Sequence, residues 1–444
     1  MTHLRSRIAL AAAGLAALAA VQASAQDAEI TGELTLLGFS IPDEVAQSRL
    51  DTFRSAYPNV QLSITEGGLD EQQFLTAVAS GTPPDVVYLD RAVLSTYAGR
   101  GALVPLTECI AGQGIDMSQF REAAVAQVTV DGVVYGMPEF FNTVLLIASG
   151  DALAEAGLTA EDVNTTDWAA IEALNDALTR YEGDLLTRIG FDPKLPEFLP
   201  LWAEANGVSL LSADGRTAQL DDPRVVEALE FAVGLHEAAG GRQDFTAFRD
   251  TWDFFGSGNQ IASGQLGIFP MEQWYVNVLA DVSPDANLVF APFTNREGEP
   301  ITYATGNAWA IPTGADNLEA ACAFMATMTA ADTWITAARA RAEIRAAEGA
   351  TNTGVYTANR AADEVIFGEI VTESGNPALD QAIAVILDVQ DRAFAIPANP
   401  AGAEFRQAWT DAVNRVLNGE QNAADALAQA QAEAQAALDE AWAG

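Results

Sequence analysis

Three short stretches pair hydroxyl-seeking side chains with flat rings: PEFFNT (Pro138 to Thr143), PMEQWY (Pro270 to Tyr275) and TGNAWA (Thr305 to Ala310). Carboxylates and carboxamides exchange hydrogen bonds with hydroxyl groups, and aromatic faces cover apolar C–H surface, so the mixture suits a polyhydroxylated ligand such as a sugar. Any one of these rings fits a core equally well; three such stretches, each beside a strand end, favour a binding cleft. In the second stretch, Glu272 to Tyr275 reads as a loop that follows a buried strand, Gln265 to Phe269.

Groups that could drive covalent catalysis are scarce. Apart from His3 the chain has one histidine, His236, within an apolar-periodic helical segment and expected to be a partly exposed helix residue. Neither a Ser-His-Asp nor a Cys-His arrangement has much to work with. HExxH, GxSxG and P-loop motifs and metal-spaced cysteine pairs are absent. No cofactor or metal is expected. The 61 acidic residues guarantee chance carboxylate pairs, so glycoside cleavage through two of Glu66, Asp90 and Glu272 stands as a rival.

The elements that must position these residues begin after a leader. Residues 1 to 25 carry Arg5 and Arg7, an alanine-rich apolar run too short to span a bilayer, and a small-residue site at Ala23 to Ala25, the pattern of a cleavable signal peptide. No cysteine near the cut could carry a lipid, so a soluble periplasmic protein is expected. The net charge is −39, and without Arg5 and Arg7 the 22 basic residues fall to 20 against 61 acidic ones. Such a field repels nucleic acid and anionic lipid. The carboxylates are spread along the chain, as on a solvated acidic surface, although a cationic solute such as a polyamine is an alternative ligand. Lys194, the only lysine, fits a compositional bias better than a site. The two cysteines, Cys109 and Cys322, could pair in an oxidising compartment, a question that spacing leaves open.

At 444 residues two domains are expected. Gly32 to Phe39, Val60 to Ile64 and Asp85 to Asp90 read as strands alternating with amphipathic helices, one with Val45, Leu50 and Phe53 on one face and another over Asp70 to Ser80. That alternation predicts a parallel sheet with helices on its faces, and a ligand at the carboxyl ends of its strands, near Phe39 to Asp43, Glu66 to Leu69 and Asp90 to Arg91. From Val144 the pattern changes to one strand and a long helical region, with strands returning at Gln265 to Phe269 and Leu288 to Phe290. The alanine- and glutamine-rich tail, Ala401 to Ala443, predicts surface helices closing one lobe.

Taken in order, several segments resemble the extracellular solute-binding proteins of sugar-type ABC importers, the family that includes the maltose-binding protein. They are SGTPPDVVYLD, DGVVYGMPEFFNTVLLIAS, TTDWAAIEALNDALT, QLDDPRVVEALEFAVGL, ASGQLGIFPMEQW, GNAWAIPTGADNLEAACAFMATMTAADT and AVNRVLNGEQNAADALAQAQAEAQAALD. The resemblance covers nearly the whole chain after residue 25. It implies a two-lobed α/β periplasmic-binding-protein fold, each lobe a sheet flanked by helices, with three hinge crossovers near Met137 to Asn142, Phe290 to Asn295 and Ala340 to Gly354. The first lobe would comprise residues 26–139 and 294–345, and the second 140–293 and 346–444. It further implies a monomer that captures a carbohydrate between the lobes and delivers it to a membrane permease powered by a cytoplasmic ATPase. By the same matching Asp43, Glu66 and Asp90 would be first-lobe acceptors, Phe140 and Asn142 would sit at the crossover, and Glu272 and Trp274 would form the second-lobe wall. Asn307 and Trp309 would complete the pocket, with Trp202 and Tyr356 as further contacts. Two phenylalanines in PEFFNT stand where tyrosines are frequent in the family.

Overall fold

The computed structural model describes residues 30–371 and 373–443, so the expected signal peptide lies outside the described residues. Alternating apolar segments become two five-stranded sheets. The first runs, edge to edge, Val60–Thr65, Gly32–Leu37, Val86–Asp90, Asn307–Ala310 and Met137–Pro138. Its first three strands are parallel, and Asn307–Ala310 is antiparallel to both neighbours. The second runs Leu288–Ala291, Val144–Ser149, Leu266–Glu272, Leu185–Phe191 and Arg180–Glu182. Both sheets are therefore mixed, and the parallel order expected of the three N-terminal strands holds. Every residue of Val144–Ser149 is buried, as required of a central strand covered on both faces.

Aspartates punctuate the first lobe. Asp43, Asp70 and Asp90 each cap the helix after a strand or loop, accepting from Ala46 N (3.0 Å), Gln73 N (2.9 Å) and Ala92 N (2.9 Å). Each satisfies an otherwise unpaired helical donor. Asp85, in the TPPDVV segment, is buried and accepts from Thr35 N and Oγ1 at 2.8 and 2.7 Å and from Asn317 N at 2.9 Å. It ties the first strand to the start of the helix Leu318–Thr329. That helix also carries Cys322, which is disulfide-bonded to Cys109 with the Cα atoms 5.5 Å apart.

The chain continues against second-lobe residues past Phe290 to Asn295, and against first-lobe residues past Ala340 to Gly354. Phe290 pairs within the second sheet, Phe293 and Tyr303 pack into the same second-lobe core, and the chain joins the first sheet only at Asn307. Antiparallel backbone pairing of Phe293–Thr294 with Pro300–Tyr303 as a hairpin keeps this segment on the second lobe. The helix Ala331–Glu348 packs mainly on the first lobe against Glu44–Ala56, with Arg345 reaching across to pair with Asp281 of the second lobe, and Ala362 and Ile366 still share a cluster with Trp334 and Val45. The helix Pro377–Gln390, by contrast, contributes Leu379, Ala382 and Ile386 to the second lobe.

The tail forms the helices Gly402–Leu417 and Ala423–Ala443, which pack on each other and close the second-lobe core. The first turn of Gly402–Leu417 also reaches the first lobe: a Cβ at Gly402 would lie 2.7 Å from the Ala92 carbonyl oxygen, so only glycine allows this approach.

His236 is not partly exposed. It is 3% exposed, stacked on Phe245 at 3.8 Å, and burial pushes its pKa down to about 4 from 6.5. The helix Pro223–Ala238 turns this position toward the helix Gly241–Arg249, a pairing that helical periodicity alone does not reveal. Because the folded pKa is depressed, the stabilisation by the neutral ring is complete above the unfolded value and is lost as pH falls toward 4, at most about 3 kcal/mol. Asp363, pushed up to about 6 by burial, opposes this: its penalty at neutral pH is relieved on acidification. The difference in unfolding free energy between wild type and His236→Leu should therefore change by that amount between pH 7 and 4 in urea titrations. A pH-independent difference would exclude His236 as the group responsible.

Candidate functional site

Between the lobes lie two chambers of about 470 and 460 Å³, and Trp274 lines both. The first chamber is bounded by Asp90, Gln127, Lys194, Glu197, Phe254, Glu272, Thr305, Arg406 and Trp409, among others. The second is bounded by Asp43, Tyr88, Phe140, Asn142, Asn277, Asp281, Asn307, Arg341, Arg345 and Tyr356, among others.

Glu272 ends the strand Leu266–Glu272 and Trp274 begins the helix Trp274–Val282, so only Gln273 separates the two elements. The expected loop is absent, and Tyr275, already in the helix, is buried beneath it. The indole Nε1 of Trp274 donates to Glu272 Oε2 at 2.5 Å, while Thr305 Oγ1 donates to Glu272 Oε1. These bonds fix the carboxylate and the ring together on the wall shared by the chambers.

Behind residues that line the chambers lies Arg91, 1% exposed. Its Nε donates to Gln127 Oε1 (2.9 Å), its Nη1 to the carbonyls of Phe140 (2.5 Å) and Asn307 (3.2 Å), and its Nη2 to the Thr305 carbonyl. One side chain thus holds both crossover strands in register under the cleft. Burial lowers its pKa to about 10, which leaves it charged at neutral pH.

Asp43, Asp90, Phe140, Asn142, Glu272, Trp274 and Asn307 are brought to the chambers. The two aspartates are already engaged as helix caps, and their second oxygens accept from Arg341 (2.6 Å) and Arg406 (2.8 Å). Tyr356 edges the second chamber but is only 3% exposed and stacks on Phe367 at 4.7 Å.

Three of the expected residues line neither chamber. Trp202 is fully buried among Phe191, Phe231 and Phe293, with its Nε1 donating to the Pro193 carbonyl at 2.9 Å. Trp309 is fully buried against Phe39, Tyr88 and Phe324. It lies two residues beyond Asn307 on the same strand, hence on the same face but below the cleft rather than in it. Glu66 is exposed and lines neither chamber.

Lys194 is the reverse case. The residue set aside as compositional is 8% exposed, lines the first chamber, and sits in left-handed backbone (φ 55°) with its amide donating to the buried Asp192 at 2.8 Å. Its ammonium pairs with Glu197 at 3.0 Å. Its uniqueness in the sequence was the one available signal; Arg341 and Arg406, inside long helices, offered none.

Two α/β lobes enclosing a polar, aromatic-walled cleft define a two-lobed ligand-binding protein. The chain belongs to the bacterial extracellular solute-binding protein family, whose model matches residues 48–364. Over 162 residues it is 28% identical to the lactose-binding protein of Rhizobium radiobacter, an alignment that spans 34% of this chain and 37% of that relative. Its fold is similar to CpMnBP1 with mannotriose bound (TM-score 0.73, 22% identity, 90% of this chain and 99% of that one). It is also similar to the ABC substrate-binding protein Lmo0181 from Listeria monocytogenes in complex with cycloalternan (TM-score 0.73, 19% identity, 92% and 99%). Among the described residues no helix is long and apolar enough to cross a membrane.

Proposed function

We propose that the protein is a periplasmic receptor that captures a carbohydrate in the cleft spanning both chambers and hands it, unchanged, to a membrane permease driven by a cytoplasmic ATPase. The observation that carries this reading is Trp274, a half-buried ring shared by both chambers and locked beside a carboxylate whose oxygens accept from Trp274 and Thr305. A flat ring with acceptors and carboxamides around it matches the two faces of a pyranose. The names of the lactose-binding relative and of the sugar-bound neighbours point the same way.

In this reading Asp43, Asp90, Asn142, Glu272 and Asn307 contact hydroxyls and Phe140 packs at the hinge, joined by Lys194, Glu197 and Arg406. The first lobe comprises residues 30–140 and 304–371 and the second 142–303 and 377–443. Ligand contacts both lobes and so binds the closed form more tightly than the open one, which is what drives closure.

The test is a thermal-shift screen of residues 26–444 against mannobiose, mannotriose, maltose, lactose and spermidine. A ligand at a hundred times its Kd stabilises the native state by about 2.7 kcal/mol, and a shift with a sugar that is recovered intact is the expected result. A shift with spermidine alone would replace the sugar by a cationic solute, and recovered cleavage products would make the protein an enzyme.

A further inference from the structure

Charge in the first chamber departs from that of the chain around it. Among the residues lining it are two cations, Lys194 and Arg406, and three carboxylates, Asp90, Glu197 and Glu272. The whole chain has 22 basic residues against 61 acidic ones, so this chamber is far closer to balance than the rest. Arg91 behind it, with its donors on backbone carbonyls and Gln127 rather than on a carboxylate, adds a further positive charge.

The carboxylates are engaged: Asp90 accepts from Ala92 N and Arg406, Glu272 from Trp274 and Thr305, and Glu197 pairs with Lys194. The cations keep free donors. An ammonium carries three N–H groups and a guanidinium five, yet among the described residues the Lys194 ammonium pairs only with Glu197 and the Arg406 guanidinium donates only to Asp90. In the second chamber, by contrast, Arg341 donates from Nε, Nη1 and Nη2 to Glu44, Gly354 and Asp43. The Lys194 side chain is 10% exposed while that of Glu197 is 57% exposed, so a buried cation has its one counter-charge out in solvent. A cation withdrawn from water is stabilised by an anion that shares its dry surroundings.

The backbone holds Lys194 in place. Among the described residues, only Asp131 and Lys194 combine a side chain with a positive φ, a conformation that a Cβ disfavours. Asp131 belongs to an Asp-Gly hairpin turn, which calls for it. Lys194 instead follows the carboxyl end of the strand Leu185–Phe191, the end at which α/β sheets bind ligands, and its carbonyl accepts from Phe198 N at 3.0 Å. A disfavoured conformation kept at such a place marks a side chain whose position matters.

We infer that the first chamber receives the carboxylate of an acidic sugar, a uronic-acid residue, on Lys194 and Arg406. This rests on the carbohydrate reading above and narrows it. The guanidinium offers a carboxylate parallel N–H donors and the ammonium offers charge. Two cations among three carboxylates suit a single negative charge better than the nearly double charge of a phosphate. A neutral sugar leaves the free donors without an anion, so discrimination between acidic and neutral sugars of one stereochemistry falls to these two side chains.

The test is calorimetric titration with matched pairs: mannose and mannuronate, galactose and galacturonate, glucose and glucuronate, and the corresponding disaccharides. The wild-type protein should bind the acidic member of at least one pair about tenfold more tightly than its neutral partner. Lys194→Gln and Arg406→Gln should each lower that acidic-to-neutral ratio by about tenfold, and Arg406→Lys, which keeps the charge, should lower it less than Arg406→Gln. Melting temperatures establish that each variant is folded, and the wild-type ratio stands as a test without them. Equal affinity, or a preference for the neutral member, in every pair that binds would overturn the inference and leave the carbohydrate reading intact. So would an acidic preference that survives both glutamine substitutions. Wild-type protein that binds no sugar, neutral or acidic, would overturn the carbohydrate reading, and this inference with it.

Discussion

Trp274→Ala is expected to weaken binding of the proposed carbohydrate ligand by about a hundredfold, close to 3 kcal/mol, with a much smaller loss of stability. Trp274 walls both chambers, so its loss uncovers the ligand on two sides and leaves Glu272 Oε2 without the indole donor. Because the ring is only half-buried, truncation should cost well below the roughly 3–5 kcal/mol of a core aromatic. Trp274→Phe separates the two contributions: it keeps a flat ring, removes the N–H, and should fall between wild type and alanine. Isothermal titration alongside thermal unfolding checks this; a large drop in melting temperature with affinity intact would make Trp274 a core residue instead.

Glu139→Ala is expected to destabilise the protein by about 3–5 kcal/mol. The Arg49 and Glu139 side chains are ion-paired and both 0% exposed, with the guanidinium 3.9 Å from the Trp334 ring centroid. Removing the carboxylate leaves a buried positive charge whose desolvation is no longer offset. The damage should extend to the hinge, because the Glu139 backbone N–H donates to the Asn307 carbonyl (3.1 Å) and its carbonyl accepts from Ala358 N (2.7 Å). Replacing both partners, Arg49→Met with Glu139→Leu, should recover most of the loss, since neither charge is then stranded. Urea unfolding of the two single variants and the double variant tests this, and a single variant as stable as wild type would show that the pair contributes nothing.

Much of the site was legible because strand ends and helix starts are local events. The run of an apolar strand into an aspartate places Asp43 and Asp90 at the carboxyl ends of parallel strands, facing the cleft. The same signal cannot separate a capping aspartate from a ligand acceptor, and the structure shows these two already capping and ion-paired. Glu66, placed at the site by the same rule, is out in solvent. The aromatics divide for a related reason. Trp274, Trp309 and Trp202 all lie within two residues of a polar side chain in sequence, yet only the first faces a chamber, because period gives the face of a side chain and not its depth.

The sequence by itself determined the alternation of strands and helices, the family resemblance, the approximate ends of the strands that flank the cleft and the scarcity of catalytic groups. The tertiary structure alone decided which rings stay uncovered and that Cys109 meets Cys322. It also decided that Arg406 meets Asp90 across 316 positions of chain, and that the one lysine turns into the cleft. The physical reason is range: caps, turns and hydrophobic periods act over a few residues, whereas burial depth and charge pairing depend on elements far apart in the chain that come together only when both lobes have packed.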